Sequence, residues 1–180
     1  MLVSAENLSF GFAGASLLEN ISFTLSEGDR VGLIGANGEG KTTLCEAMLF
    51  NGGTTDRQGK VLDGTTVTDF DDLEKAKKMS MYTACAYLMW KGVKINLLDL
   101  PGFYDFEGER HEGLRAAGGA LLVIGANGVL PIGAESVVDY CLRLGKPLII
   151  FINGMDKENA DYFGTVRALK EKYAGKLAPI

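Results

Sequence analysis

Cysteine, proline, tryptophan and histidine are scarce in this chain, and no apolar or basic run is long. Of 180 residues only three are Cys, four Pro, one Trp and one His. Cys45, Cys85 and Cys141 are too few and too scattered for a metal centre or a disulfide framework. Reduced, mostly buried thiols in a cytoplasmic protein are therefore expected. The longest apolar stretches, near 120–124 and 147–152, fall well short of the roughly 20 residues that span a bilayer, so no membrane partner is expected. Met1-Leu2-Val3 leads straight into patterned sequence with Glu6 close by, which argues against a secretory leader. Net charge is -5 and no basic run is extended, so direct DNA binding is not expected. Lys75, Lys77 and Lys78 read as a solvated loop face.

What is present is an ordinary globular balance, 47% hydrophobic and 23% charged, in a length that suits one domain over 1–180. The chain is organised around Gly35-Ala36-Asn37-Gly38-Glu39-Gly40-Lys41-Thr42. This stretch follows an apolar run at 31–34 and precedes a helical pattern beginning at Thr43. Strand, glycine loop and helix with the spacing G-x-x-x-x-G-K-[ST] make a phosphate-binding P-loop, the Walker A motif. Amides of a curled glycine loop point at phosphate oxygens, and the start of the next helix favours the same anion. Gly35, Asn37, Gly38, Glu39, Gly40, Lys41, Thr42 and Thr43 are the candidate nucleotide-binding residues here. Lys41 is expected to span the terminal phosphates, and Thr42 to offer its hydroxyl to Mg²⁺.

Taken in order, 1–25 alternates apolar and polar in two runs and predicts an antiparallel hairpin with one wet face. The nucleotide-binding core is expected over 26–180. Residues 51–80 are polar and show little periodicity, predicting a long loop whose length itself hints at function. Strands over 82–90 and 93–98 should form a hairpin about Lys91-Gly92. The second runs into Asp99-Leu100-Pro101-Gly102. An acidic residue ending a strand, three positions before a glycine and downstream of a P-loop, is placed to reach Mg²⁺ through water, while the Gly102 amide senses a terminal phosphate. Lys41, Asp99 and Gly102 are the candidate catalytic residues. Helices are predicted at 105–117, 132–144 and 158–173, strands at 119–125 and 148–152, and the start of one more strand at 177–180. His111 reads as a solvated helix residue. The pentapeptide Ile-Gly-Ala-Asn-Gly at 34–38 recurs at 124–128 without a following Gly-Lys-Thr and reads as coincidence. The fold class that follows is α/β: a P-loop NTPase three-layer sandwich with a mostly parallel sheet and an N-terminal antiparallel hairpin beside the P-loop strand.

Residues 1 to about 44 resemble the start of an ATP-binding-cassette ATPase. The carrying residues are Leu8-Ser9-Phe10, Leu18-Glu19-Asn20-Ile21-Ser22-Phe23 and Glu27-Gly28-Asp29-Arg30-Val31-Gly32-Leu33-Ile34-Gly35-Ala36-Asn37-Gly38. The resemblance implies that Phe12 stacks on adenine, although a hairpin aromatic packs in a core equally often. That family's glutamine loop, Leu-Ser-Gly-Gly-Gln signature, Walker B pair and switch histidine are absent from 45–180.

From about Gly40 to Ile180 the chain resembles the GTP-binding domain of elongation factor G. Gly40-Lys41-Thr42-Thr43-Leu44, Lys77-Lys78-Met79-Ser80-Met81, Ile95-Asn96-Leu97-Leu98-Asp99-Leu100-Pro101-Gly102 and Phe151-Ile152-Asn153-Gly154-Met155-Asp156 carry it. The resemblance implies GTP or GDP with Mg²⁺ as cofactors, Thr42, Ser80 and Asp99 serving the metal, and Asn153 and Asp156 reading guanine. Phe103 stands where the family has a water-positioning histidine, implying slow hydrolysis. Gly154 stands where it has a lysine whose stem covers the base. The resemblance also brings in the ribosome, but the sequence ends at Ile180, ahead of the family's later domains, so productive ribosome binding is not expected. Together the two resemblances suggest a chimera joined near Asn37–Lys41. Two alternatives stand beside weak GTP hydrolysis: an ATP-binding or base-indifferent site using Phe12, and a scaffold that holds phosphate in the P-loop without turnover.

Overall fold

A computed structural model of the chain describes residues 3–12, 15–25 and 30–177, with side chains from residue 30 onward apart from Tyr104 and Ile132. Strands β1 (Val3–Phe12) and β2 (Ala15–Leu25) form an antiparallel sheet of their own, from Val3 opposite Leu25 to Phe12 opposite Ala15, with register shifts between. The second sheet has five strands in the order β4-β5-β3-β6-β7. They are β3 (Arg30–Ile34), β4 (Ala84–Trp90), β5 (Val93–Asp99), β6 (Gly119–Gly125) and β7 (Leu148–Asn153). Neighbours are parallel except β4, which returns antiparallel to β5 through the Lys91-Gly92 turn. This is the expected α/β class with its N-terminal hairpin. The hairpin does not pair with the P-loop strand, however: both edges of β3 are taken, by β5 and β6.

Consecutive residues of a strand point to opposite faces, and β3 shows the consequence. Leu33 packs with Cys45 and Leu49 of α1 (Lys41–Asn51), and with Leu88 and Leu97. Ile34 joins Leu114 of α3 (Glu107–Ala116), Val137, Val138 and Cys141 of α4 (Ile132–Leu144), and Leu169 of α5 (Tyr162–Lys172). Helices thus cover both faces, and burial of each such leucine contributes about 2 kcal/mol. Strand β6 is buried at every position but Leu121, which suits an apolar run at the centre of a parallel sheet.

Several local expectations change. The stretch 51–80 holds a 3₁₀ turn at Val61–Asp63 and a short helix, α2 (Asp72–Lys77). Asp71 caps that helix, accepting from the Leu73 amide at 2.8 Å, while Glu74 reaches back to the Asp71 amide at 3.1 Å. This is a capping box; six residues are too few to show a helical period, so the cap is the only local signal. Strand β4 begins at Ala84, two residues later than expected. Helix α5 begins at Tyr162 rather than 158, because Asp161 caps it by accepting from the Gly164 amide at 2.8 Å. Cys45 and Cys141 are buried and Cys85 is exposed on the edge strand β4. His111 is half-exposed but stacked on Tyr140, ring centroids 4.7 Å apart, with Glu107 3.6 Å away. Residues 178–180 of the expected last strand lie outside the described residues. Among the described residues no helix is long and apolar enough to cross a membrane.

Candidate functional site

Parallel strands bring their carboxyl-terminal loops to one edge of the sheet, where α/β proteins bind ligands. Here that edge collects the P-loop after β3, 99–102 after β5, 125–128 after β6 and 153–157 after β7. Gly40 starts α1 with φ +90°, a left-handed conformation that side chains resist. Asn153 lies against the space a side chain there would fill. A Cβ at Gly102 would stand 2.7 Å from the Gly35 carbonyl oxygen and 2.9 Å from Lys41 Nζ. Lys41, the P-loop backbone and the 99–102 turn are therefore pressed together.

Beside Lys41 lies a cluster of buried oxygens. The Thr42 hydroxyl donates to Asp99 Oδ2 at 3.0 Å, and the Ser80 hydroxyl donates to Asp69 Oδ1 at 2.7 Å. Asp69 also accepts from Thr66 at 3.2 Å. The Thr42 and Ser80 hydroxyl oxygens lie 3.2 Å apart, within hydrogen-bond distance of each other. Asp99 Oδ1 is buried without a hydrogen bond of ordinary geometry, with the Thr68 hydroxyl, itself unpaired, beside that carboxylate. Two carboxylates, one of them with an oxygen free of any ordinary hydrogen bond, and two hydroxyls form a hard donor set, and it fits a small divalent cation that completes its shell with phosphate oxygens and water. No group of three or more His, Cys, Asp or Glu among the described residues could hold a metal by protein ligands alone. Burial pushes the Asp99 carboxyl up to about 6, against the pull of Lys41. Burial likewise lowers the Lys41 ammonium, opposed by Asp99, Asp69 and Glu39. The Cys45 thiol, also buried, is pushed further up, which makes it a packing group.

Two fully buried carboxylates hold the long connection around this cluster. Glu46, on α1, accepts from the Val67 amide at 2.7 Å and the Thr68 amide at 3.3 Å. Glu74, on α2, accepts from the Met81 and Tyr82 amides at 2.8 and 3.0 Å. They set Asp69 and Ser80 against Thr42. Asp69, Glu46 and Glu74 are the residues that motif reasoning misses. The capping box could have singled out Glu74; nothing local marks Asp69 or Glu46, whose burial is tertiary.

At the other end of the edge, the Asn153 side chain donates to the Glu39 carbonyl at 2.8 Å, tying β7 to the P-loop. The Ala126 amide donates to the Asn153 carbonyl at 2.9 Å, so β6 is tied in as well. The two Ile-Gly-Ala-Asn-Gly copies thus end adjacent parallel strands, and Gly125 of the second lies against the Glu39 carboxylate. Asn37, Gly38 and Thr43 are exposed, as is Asp156. The structure gathers Lys41, Thr42, Ser80, Asp99 and Gly102, and links Asn153 to them through the P-loop. Phe12 pairs with Ala15 in the hairpin, but its side chain lies outside the described residues.

Comparison with known proteins adds the lineage. Residues 28–178 match the family model described as elongation factor Tu GTP binding domain. An elongation factor G-like protein of Mycobacterium tuberculosis is 40% identical over 148 residues, covering 82% of this chain and 21% of that protein. Elongation factor G 2 of Streptomyces coelicolor is 39% identical over 142 residues, covering 79% of this chain and 21% of its own. A crystal structure of a Thermus thermophilus protein superposes with a TM-score of 0.76 at 36% identity, over 80% of this chain and 22% of the other. The chain thus spans about a fifth of the length of these relatives. The match beginning at residue 28 takes in β3 and the whole P-loop. A join near Asn37–Lys41 and a cassette-ATPase origin for that stretch gain no support from it.

Proposed function

Because the chain belongs to the family of elongation factor Tu GTP-binding domains, we propose that residues 26–180 act as one Mg²⁺-dependent GTP- and GDP-binding core with slow GTP hydrolysis. The observation that carries the reading is the junction at one sheet edge: Thr42 bonded to Asp99 beside Lys41, and Asn153 bonded to the P-loop. Lys41 and the 35–40 amides would hold the phosphates. Thr42, Ser80 and Asp99 would hold Mg²⁺, which would neutralise phosphate charge as the terminal bond breaks. Asp69 would accept the Ser80 hydrogen bond and keep the hydroxyl oxygen facing the cation. The Gly102 amide, next to Lys41, would register a terminal phosphate. Phe103 is 36% exposed at the following position and has no group to orient or deprotonate water, hence the slow turnover. Asn153 would buttress the base loop while Asp156 accepts from the guanine N1–H and exocyclic amine. The elongation factor resemblance keeps the ribosome as the macromolecular partner of this reading.

The ATP-binding or base-indifferent alternative, with Phe12 as platform, and the non-hydrolysing scaffold are not favoured by any observation above. Replacing Asp156 tests the reading. In calorimetric titrations with Mg²⁺, Asp156→Ala should abolish a preference for GDP over ADP while leaving pyrophosphate affinity unchanged. An unchanged preference would reject the guanine assignment.

A further inference from the structure

The loop after β7 presents an edge-reading carboxylate at Asp156 but has no side chain at Gly154, between Asp156 and the Asn153 tether. A bound base needs more than an edge contact: its flat face stays wet unless something apolar or cationic lies over it. The space beside Gly154 is not empty. A Cβ built at Gly154 would lie 3.1 Å from Lys157 Cε, 3.3 Å from Cδ and 3.4 Å from Nζ. Lys157 therefore lays its stem across the bare backbone of residue 154 while the side chain as a whole stays exposed. The turn that allows this is closed by the Lys157 amide donating to the Gly154 carbonyl at 3.2 Å, and is held below by the Ala160 amide on the Lys157 carbonyl at 3.0 Å. Gly154 sits at φ +76°, where glycine is favoured, and its missing side chain is what makes room for the stem. No ion pair among the described residues engages the Lys157 ammonium.

We propose that Lys157 is a specificity-determining residue of the nucleotide site. Its alkyl stem, laid over Gly154, covers one face of the purine whose edge Asp156 reads, and its ammonium lies against the ring. The inference rests on the guanine-nucleotide reading above. It replaces the expectation of an uncovered base face with a cover contributed three residues later in the chain.

The test is calorimetric titration of the full chain with GDP, ADP and pyrophosphate in Mg²⁺, on wild type, Lys157→Ala, Lys157→Met and the Gly154→Lys/Lys157→Ala double variant. Lys157→Ala should weaken GDP binding about tenfold and leave pyrophosphate binding unchanged, since the phosphate loop is untouched. Lys157→Met keeps the stem and should stay within about threefold of wild type. The double variant should recover most of the loss, because Lys78 and Lys91 already show that lysine tolerates positive φ in this chain. Lys157 is exposed, so the two single variants should unfold at the wild-type temperature, and the double variant slightly below it because a side chain at φ +76° is strained. If wild type prefers GDP but Lys157→Ala binds it equally well, or loses GDP and pyrophosphate in the same proportion, the cover is overturned and the guanine reading stands. If wild type shows no GDP preference, the guanine reading falls and takes this inference with it.

Discussion

Around the P-loop, Lys41, Thr42, Asp69, Ser80 and Asp99 are all buried and bonded or pressed to one another. At the end of β7, Met155, Asp156 and Lys157 stand exposed, and only Asn153 is tied to the rest. On the proposed reading, a phosphate half and a base half divide the work differently. These five polar groups of the phosphate half are desolvated, so each is worth more to a bound anion and costs more when left unmatched. In the base half little is desolvated before a base arrives, so the base loop can vary without loss of the fold. Damage to the first half should therefore reach stability and every nucleotide, and damage to the second only the choice between bases.

The largest break in that comparison should come from Lys41→Ala. Removing a charge-assisted contact to the phosphates should weaken GDP, ADP and pyrophosphate alike, by about 100-fold, read by calorimetry. A loss confined to GDP would erase the distinction between the halves. Asp99 comes next. Its carboxyl moves from 3.8 in the ordinary case to about 6 in the fold, so between those values the folded chain holds a proton that the unfolded chain has lost. Stability of the metal-free protein should fall as pH rises through that window, by at most about 3 kcal/mol. Urea unfolding from pH 4 to 7 should show the slope in wild type and a flatter profile in Asp99→Asn.

Glu46→Ala sharpens the point that the phosphate half is a folding unit. The Thr68 amide would lose its acceptor in a buried place and the Val67 amide in a part-buried one, costing about 2 kcal/mol in urea unfolding, and the Mg²⁺-dependent gain in GDP affinity should shrink as Ser80 and Asp69 loosen. Phe103→His should have the smallest effect, about a tenfold rise in single-turnover GTP hydrolysis with no change in GDP affinity.

How far the site can be read from the chain follows the same division. The P-loop and Asp99-Leu100-Pro101-Gly102 are local spacings at strand ends, and each sits where that spacing places it. The alternation of Leu33 and Ile34, and the apolar run of β6, carry the sheet and its two covered faces. Asp69 and Glu46 stay hidden because an acidic residue in a polar stretch looks solvated until the tertiary fold buries it. Helix α2 is hidden by its length, and shows only in the Asp71–Glu74 cap. The stretch entering the P-loop is ambiguous for another reason: a strand running into a glycine loop looks much the same in different nucleotide-binding families, so the resemblance at 31–38 cannot separate them. Lys157 escapes motif reasoning because its stem reaches Gly154 only through the fold of the turn.

The most direct check on the account is a calorimetric titration of purified, nucleotide-stripped protein with GDP and then ADP in the presence of Mg²⁺. A clear GDP preference is expected, since a carboxylate at Asp156 that pairs with guanine N1–H would be left unmatched by adenine. Equal or ADP-favouring affinity would contradict it and leave the P-loop alone to decide what binds.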